Sequence, residues 1–391
     1  MLLARGDMNG ALREYEVAIT TRTVLVKQVP TDAQAQRDLA VSHNNVGDVL
    51  AAHGNAAGAL REYQAGLAIV ERLAAARPAN TEWQRDLHVG HAKLGNALAV
   101  LGDMREALHA RRASLQAIER LSLAAPTRMD WAMDLAVSHG QLGDALLDLG
   151  DNEGARTEYE AALEIAEPLA TARPAHAQWR QTLSTIQRAL GRALMAAHAP
   201  GEALLQFSKA LATAEHLTAL DPSDVGSQRD LSLAHDDVCD VLLMLRDVDG
   251  AMPHQCASSD IRERLAAANP GSVNRQRELW ASREKLGDLL RTRGDTPGAL
   301  NEYRAVLETR TRLAAAHPTN ADLQHDVAVS HFKLAGLYKE AGDAGQAHAH
   351  LAAYLSVLQQ MQRRGMHLDP AAQQVLSALE EARPPGARPA Q

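Results

Sequence analysis

Apolar positions along this chain recur at two nested periods. Over short stretches they are spaced as Leu39, Val46 and Leu50 are, four or seven residues apart, which places them on one face of an α-helix. The whole pattern then repeats every 48 residues without insertion or deletion. An alanine recurs at this interval, at Ala11, Ala59, Ala107, Ala155, Ala203, Ala251, Ala299 and Ala347. Such a period predicts stacked helical units instead of one compact core.

Turn residues divide each unit into two helices. A proline, which ends a helix, recurs at Pro30, Pro78, Pro126, Pro174, Pro222, Pro270 and Pro318. Two residues after it comes a predicted N-cap: Asp32, Asn80, Asp224, Ser272 and Asn320, with Arg128 and His176 as poorer versions. Glycine followed by Asp or Asn, as at Gly54-Asn55, predicts the second turn. Each unit should therefore be a hairpin of two helices, each of about 20 residues and about 30 Å.

Small residues mark where the two helices of a hairpin should come closest. Besides the alanine, a small residue recurs at Gly47, Gly95, Gly143, Gly191, Cys239, Gly287 and Ala335. A bulky side chain at such a contact would cost about 1–3 kcal/mol by overpacking. The second helix carries an aromatic position, held by Tyr15, Tyr63, Tyr159, Phe207 and Tyr303 and replaced by Arg111, Gln255 and Leu351.

This arrangement resembles the tetratricopeptide (TPR) repeat. His91–Leu98 carries the first half of the motif, and Gly102-Asp103 with Ala107 carries the turn and the packing alanine. The unit is longer than the usual 34 residues, as in kinesin-light-chain-like repeats, and histidine or another polar residue replaces the motif's tryptophan. The amino-acid sequence of the repeat is similar to that of TPR arrays in bacterial signalling proteins, including STAND-type regulators and caspase-like peptidases. The resemblance implies an all-α fold, an α-solenoid in which antiparallel hairpins form a right-handed superhelix, and a partner-binding or sensor role without catalytic residues.

The repeat predicts the organisation of the chain. Residues 1-30 form a half repeat with a second helix only, residues 31-366 form seven hairpins, residues 367-383 form a capping helix, and residues 384-391 form a disordered tail. The apolar face of the half repeat, with Leu12, Tyr15 and Ile19, lacks one neighbour. Either the chain is a fragment of a longer protein, or self-association covers this face.

Composition narrows the class of protein. Aromatic residues make up 3% of the chain, and the net charge is −8 without a basic stripe, so no nucleic-acid partner is expected. Cys239 and Cys256 are too few for a disulfide framework. An apolar run of 18 residues and a signal-peptide pattern are both absent, so we expect no membrane partner and a cytoplasmic location.

No cofactor or metal motif is present, and an enzyme is the least favoured function. Histidine recurs at one repeat position, at His43, His91, His139, His235 and His331. We call this set the histidine column; it suggests either a row of metal sites or a pH-dependent switch. We interpret it as half-buried packing in place of the TPR tryptophan, since neighbouring repeats lie about 10 Å apart and cannot share one ion. The pairs His88/His91 and His348/His350 lack a third ligand.

The predicted partner-binding groove follows the first helix of each hairpin. Its candidate residues are Asn44, Asn45, Asp48, Lys93, Asn96, Gln141, Asp144, Arg188, Arg192, Asp236, Asp237, Asp240, Glu284, Lys285 and Asp288. These side chains could instead pair across repeats, for example Arg188 and Arg192 with Asp236 and Asp240, or Asp237 with Lys285, at about 0–1 kcal/mol each. Both alternatives remain open from the sequence.

The sequence favours an interaction scaffold that binds a peptide or partner protein in this groove. The alternative is a sensor module of a larger bacterial signalling protein. Repeats four to six also share irregularities: Pro168 is predicted to interrupt a helix, Ala199-Pro200 replaces a turn, Arg246 replaces the turn glycine, and Pro253 falls early in a helix. They indicate either drift or a bend.

Overall fold

The computed structural model describes residues 8–381, and within them the chain forms sixteen α-helices and no strand. The all-α solenoid class predicted from the repeat is thereby confirmed. The start of the predicted half repeat and the predicted tail 384-391 lie outside the described residues. The helices are α1 (Met8–Gln28), α2 (Ala33–Ala52), α3 (Ala56–Ala76), α4 (Thr81–Val100), α5 (Met104–Ala124), α6 (Met129–Asp148), α7 (Asn152–Ala172), α8 (Ala177–Ala196), α9 (Pro200–Leu220), α10 (Val225–Met244), α11 (Val248–Ala268), α12 (Val273–Thr292), α13 (Thr296–Ala316), α14 (Ala321–Glu340), α15 (Ala344–Arg363) and α16 (Pro370–Glu381).

The chain divides into two compact units, Met1–Ala219 and Leu220–Gln391. In unit 1 consecutive helices from α1 to α8 pack on one another, and α6 also contacts α8. Ser184 of α8 donates a hydrogen bond to the backbone carbonyl of Ala210 in α9. In unit 2 consecutive helices pack in the same way from α10 to α16. We call the even-numbered helices from α2 to α14 first helices and their odd-numbered successors second helices, because each such pair forms one hairpin.

The first helices begin at the predicted caps. Asp32 accepts hydrogen bonds from the backbone amides of Gln34 and Ala35 at 2.9 and 3.0 Å. Arg128 makes no side-chain capping bond, and His176 accepts one long bond of 3.3 Å from the amide of Trp179. Arg128 is therefore the weakest of these caps, as the sequence indicates, whereas His176 caps about as well as Ser272, which accepts one bond of 3.4 Å from the amide of Arg275.

The turn within each hairpin requires a left-handed residue. Gly54 and Gly102 adopt φ angles of 76° and 83°, which glycine reaches without steric cost. His198 and Arg246 take the same conformation, with φ of 57° and 63°, although both carry a side chain. Packing of the flanking helices thus imposes the turn where the sequence departs from glycine.

Pro168 does not interrupt a helix, contrary to the sequence prediction. Helix α7 runs unbroken from Asn152 to Ala172, and Pro253 likewise lies inside α11. Both prolines are exposed, so the helix bond that each ring removes is lost on the side that faces water. The helix therefore tolerates them.

The closest contact inside a hairpin joins the small-residue position to the aromatic position. A methyl group on Gly47 would overlap the ring of Tyr63, and one on Gly143 would lie 2.7 Å from the ring of Tyr159. Glycine at this position is therefore a steric requirement of the aromatic ring. Where the ring is absent, a larger residue can replace the glycine: Ala335 occurs with Leu351 and Cys239 with Gln255, whereas Gly95 is retained beside Arg111.

Candidate functional site

Three of the predicted groove residues are bound to tyrosines of their own hairpin. In each case a second-helix tyrosine donates its hydroxyl to a first-helix aspartate: Tyr63 to Asp48 (2.9 Å), Tyr159 to Asp144 (2.7 Å) and Tyr303 to Asp288 (2.5 Å). Burial and the neighbouring carboxylate raise the pKa of each tyrosine. These aspartates therefore help to close the hairpins.

Two predicted groove lysines pair with the first helix of the preceding repeat. Lys93 contacts the carboxylate of Asp48, and Nζ of Lys285 lies 2.6 Å from Oδ1 of Asp240. Pairing across repeats is therefore present, although the partner of Lys285 is Asp240 where the sequence suggested Asp237. Such half-exposed pairs contribute about 0–1 kcal/mol each.

Two more predicted groove residues neutralise buried arginines. Asp236 contacts Arg262, and Oε1 of Glu284 lies 2.7 Å from Nη1 of Arg310. Both arginine side chains are only 9% exposed. Lys333 adds a second cation, 3.3 Å from Glu284. These carboxylates are consequently bound to structural partners.

The remaining predicted residues do not converge on one place. Gln141 accepts a 2.6 Å bond at its backbone carbonyl from buried Arg111, and Asn44 packs against Gly66. The others are half-buried or exposed along the first helices: Asn45, Asn96, Arg188, Arg192 and Asp237.

A cleft of about 800 Å³ lies in unit 1, on the N-terminal halves of the first helices. We call it the unit 1 cleft. Its lining comes mainly from α4, α6 and α8, in successive hairpins, and includes Arg37, Glu82, Arg85, Asp130, Trp131, Asp134, Val137, Trp179 and Thr182. This surface lies two to three helical turns before most of the predicted groove residues.

Tryptophans and charges of both signs line the unit 1 cleft. The guanidinium of Arg128 lies 4.5 Å from the ring centre of Trp131, and the ring of His176 stacks on Trp179 at 4.5 Å. Burial raises the pKa of Asp134. The cleft therefore combines aromatic side chains with both cationic and anionic side chains.

A second cleft, of about 500 Å³, lies in unit 2, and we call it the unit 2 cleft. First helices α12 and α14 form it together with Arg310 of second helix α13 and the connection before α16. Its lining includes Arg277, Trp280, Glu284, Arg310, Asp322, His325, Asp326 and Asp369. Of the residues predicted from the sequence, Glu284 lies here.

The two clefts occupy the same repeat positions. Arg277, Asp322 and Asp326 stand four repeats after Arg85, Asp130 and Asp134. The signal for this surface was present in the sequence as a basic-acidic dipeptide near the start of the first helix, for example Arg37-Asp38, Arg85-Asp86 and Arg277-Glu278.

Some of these dipeptides link successive first helices. Nε of Arg37 lies 2.5 Å from Oδ2 of Asp86, and Arg229 pairs with Glu278 at 2.9 Å. Each link joins an arginine to an acidic residue 49 positions later. The repeat thus supplies ion pairs between neighbouring first helices, and one of them includes Arg37, which lines the unit 1 cleft.

The histidine column packs inside the hairpins, as predicted. Four of its five members contact the second helix nineteen residues on: His43 with Glu62 (2.8 Å), His139 with Glu158 (2.7 Å), His235 with His254 (3.0 Å) and His331 with His350 (3.0 Å). The fifth, His91, lies 3.8 Å from Glu71 of the preceding second helix. Burial and the facing His254 lower the pKa of His235 to about 4. Within residues 8–381 no three potential metal ligands gather, and no helix there is long and apolar enough to cross a membrane.

No protein-family model matches this sequence, and no curated protein sequence matches it significantly. Solved structures do share its fold. The apo form of RapI aligns with 83% of this chain and 99% of its own length, at TM-score 0.50 and 10% identity. Aspartyl phosphate phosphatase F from Bacillus subtilis aligns with 89% of this chain and 77% of its own length, at TM-score 0.50 and 13% identity. The apo form of the quorum sensor NprR from B. thuringiensis aligns with 91% of this chain and 84% of its own length, at TM-score 0.50 and 12% identity. At these identities the likeness concerns the fold alone, which is that of TPR-like helical repeat proteins.

Proposed function

We propose that this chain binds a peptide, or an extended segment of a partner protein, on its first helices. The unit 1 cleft is the observation that carries this proposal. Its volume of about 800 Å³ lies within the range of roughly 300–1,000 Å³ typical of ligand sites. Its walls come from successive repeats, so a ligand that follows the repeat direction would contact several helices.

The lining favours a peptide over a purely apolar ligand. Trp131 and Trp179 can cover an apolar side chain, while Arg85, Asp130 and Asp134 can pair with charged ones. Charged groups in such a surface select partners by complementarity more than they add affinity. We propose binding without catalysis, in the cytoplasm.

A peptide library tests this proposal directly. A positional-scanning decapeptide library is applied to the full chain, and selected peptides are titrated by fluorescence anisotropy. Replacing Glu82→Arg together with Asp130→Arg reverses two exposed charges at the unit 1 cleft. We expect affinity to fall at least about tenfold, equivalent to about 1.4 kcal/mol.

The matched control is Glu119→Arg with Glu164→Arg. These exposed residues lie on second helices α5 and α7, away from the cleft lining, and the change in net charge is the same. Equal losses in the two double variants would show a general charge effect. Absence of any selected peptide would contradict the proposed function.

A regulatory role is the second candidate. It is supported by the resemblance of the repeat to long TPR arrays in bacterial signalling proteins, and by a fold shared with a protein described as a quorum sensor. A sensor must change when its ligand binds. Small-angle scattering of the chain with and without a selected peptide should then differ; identical curves favour a passive scaffold.

Self-association through the N-terminal half repeat is a further proposal. Val17, Val24 and Leu25 of α1 are exposed apolar side chains. Sedimentation velocity should show dimers that disappear when Val17→Glu and Val24→Glu are introduced. A monomer at all concentrations would rule this out.

A further inference from the structure

We propose that the unit 2 cleft is a specific subsite for a basic residue of a bound peptide. This inference rests on the proposed peptide-binding function and adds the location and the charge of the ligand. Two features of the cleft carry it: unpartnered donors at its base and surplus carboxylates at its rim.

The base of the cleft holds two buried N–H groups without acceptors. Trp280 is 2% exposed and Arg310 is 7% exposed. Neither Nε1 of Trp280 nor Nε of Arg310 has a hydrogen-bond partner, although both residues line the cleft. A buried donor without an acceptor is unfavourable, so these groups favour a ligand that brings an oxygen.

Another nitrogen of the Arg310 guanidinium already has hydrogen-bond partners within the protein. Its Nη1 donates to Glu284 at 2.7 Å and to Ser330 at 2.8 Å, and the group lies 5.3 Å from the ring centre of Trp280. These contacts fix the arginine against the indole. The unpartnered Nε–H is therefore held in place before any ligand arrives, which reduces the entropy lost on binding.

The rim of the cleft is acidic. Arg277 is the cation between Asp322 and Asp326, and it lies 3.9 Å from each carboxylate, beyond hydrogen-bond distance. Asp369 has other partners, because it accepts from the amide of Ala372 at 2.8 Å and lies 2.6 Å from Nε2 of His325. Asp322 and Asp326 therefore remain available to a cation from the ligand.

The two features together define the ligand chemistry. A main-chain carbonyl can accept from Trp280 and Arg310, while a lysine or arginine side chain of the same peptide reaches Asp322 and Asp326. An acidic peptide would meet repulsion at the rim. A simple polyamine would satisfy the rim and leave the donors at the base without an acceptor.

Fluorine NMR on the full chain labelled with 5-fluorotryptophan tests the subsite. Trp280 is the one tryptophan after Trp179, and Trp280→Phe assigns its resonance. The probes are two capped alanine hexapeptides, one with a central arginine and one with a central glutamate, and spermidine. We expect the arginine peptide to shift the Trp280 resonance saturably, and the other two probes to bind at least about tenfold more weakly.

Two variants locate the interaction. Asp322→Asn with Asp326→Asn should weaken the arginine peptide about tenfold, whereas the control Asp260→Asn with Glu308→Gln, on exposed parts of α11 and α13, should leave its affinity unchanged. Trp280→Phe, followed by anisotropy on a labelled arginine peptide, should weaken binding several-fold while circular dichroism stays the same. The aspartate variants keep the test valid if Trp280→Phe disturbs folding.

Three results would overturn the inference: no shift of the Trp280 resonance, equal binding of spermidine, or an unchanged affinity in the Asp322/Asp326 variant. If the arginine peptide instead shifts only Trp131 and Trp179, and Glu82→Arg with Asp130→Arg abolishes this, the unit 2 subsite is wrong and the proposed function stands. If no peptide of the library binds anywhere, both fail.

Discussion

Nδ1 of His235 lies 3.0 Å from Nδ1 of His254, so one imidazole must present a lone pair to the N–H of the other. This hydrogen bond needs at least one neutral ring as the acceptor and is lost when both rings are protonated. Burial and the facing ring lower the pKa of His235 to about 4. The same arrangement recurs at His331 and His350, where the pKa of both groups is also lowered.

Unit 2 should therefore lose stability in acid. In the unfolded chain His235 has the ordinary histidine pKa of about 6.5 and takes up a proton near that pH. In the folded protein its pKa is about 4, so it stays neutral until the pH falls to about that value. Stability is thus fully present above pH 6.5 and falls as the pH drops towards 4. We expect a loss of about 1–2 kcal/mol from this pair, allowing for its partial exposure. Hydrogen exchange of α10 and α11 measures it.

His254→Glu provides the control for this prediction. It recreates the pairing of His43 with Glu62 in unit 1, where a carboxylate faces the histidine at 2.8 Å. A carboxylate stabilises protonated His235, so the loss between pH 6.5 and 4 should shrink or reverse sign. An identical pH dependence in both proteins would show that other groups are responsible.

Gly47→Ala should destabilise its hairpin by about 1–3 kcal/mol, because the added methyl group overlaps the ring of Tyr63. In the last hairpin of the same chain, an alanine, Ala335, occurs with Leu351 at the aromatic position. Adding Tyr63→Leu should restore part of the lost stability. A double-mutant cycle by chemical denaturation measures the coupling, and simple additivity of the two changes would contradict the steric account.

Arg246→Gly and His198→Gly should each stabilise the protein, by about 1 kcal/mol. Both residues hold a left-handed backbone, with φ of 63° and 57°, that favours glycine. Both side chains are exposed, so few contacts are lost. Thermal unfolding is the measurement, and the reverse change, Gly294→Arg, should lower the melting temperature. A lower melting temperature in the glycine variants would indicate that the native side chains contribute more than the strain costs.

Asp236→Asn should lower the free energy of unfolding more than Asp240→Asn does, although the two residues lie one helical turn apart. Asp236 neutralises buried Arg262, so its loss leaves a buried charge unpaired and should cost about 2–4 kcal/mol. Asp240 is 57% exposed beside Lys285, and its loss should cost at most about 1 kcal/mol. Denaturant midpoints compare them. Equal costs would show that the Arg262 pair is not a structural ion pair.

The local chemistry of the sequence was sufficient to predict where helices begin and end. Asp32 and Gly54 act through atoms a few residues away, so their roles can be inferred from spacing alone. Asp236 could not be assigned in this way, because its partner Arg262 lies in the other helix of the hairpin. The clefts were missed for a related reason. Periodicity identifies the apolar face of a helix, whereas the part of the polar face that forms a cleft depends on how successive first helices lie together.

The pairing of Gly47 with Tyr63, and of Ala335 with Leu351, limits how such a chain can be rearranged. Both members of each pair belong to one hairpin, on opposite sides of the glycine-containing turn. A crossover at that turn would combine mismatched halves, such as an alanine with a tyrosine. A crossover at a proline, as at Pro78, transfers the hairpin with its matched contacts. Duplication or exchange of repeats should therefore preserve folding when the junctions lie at the prolines.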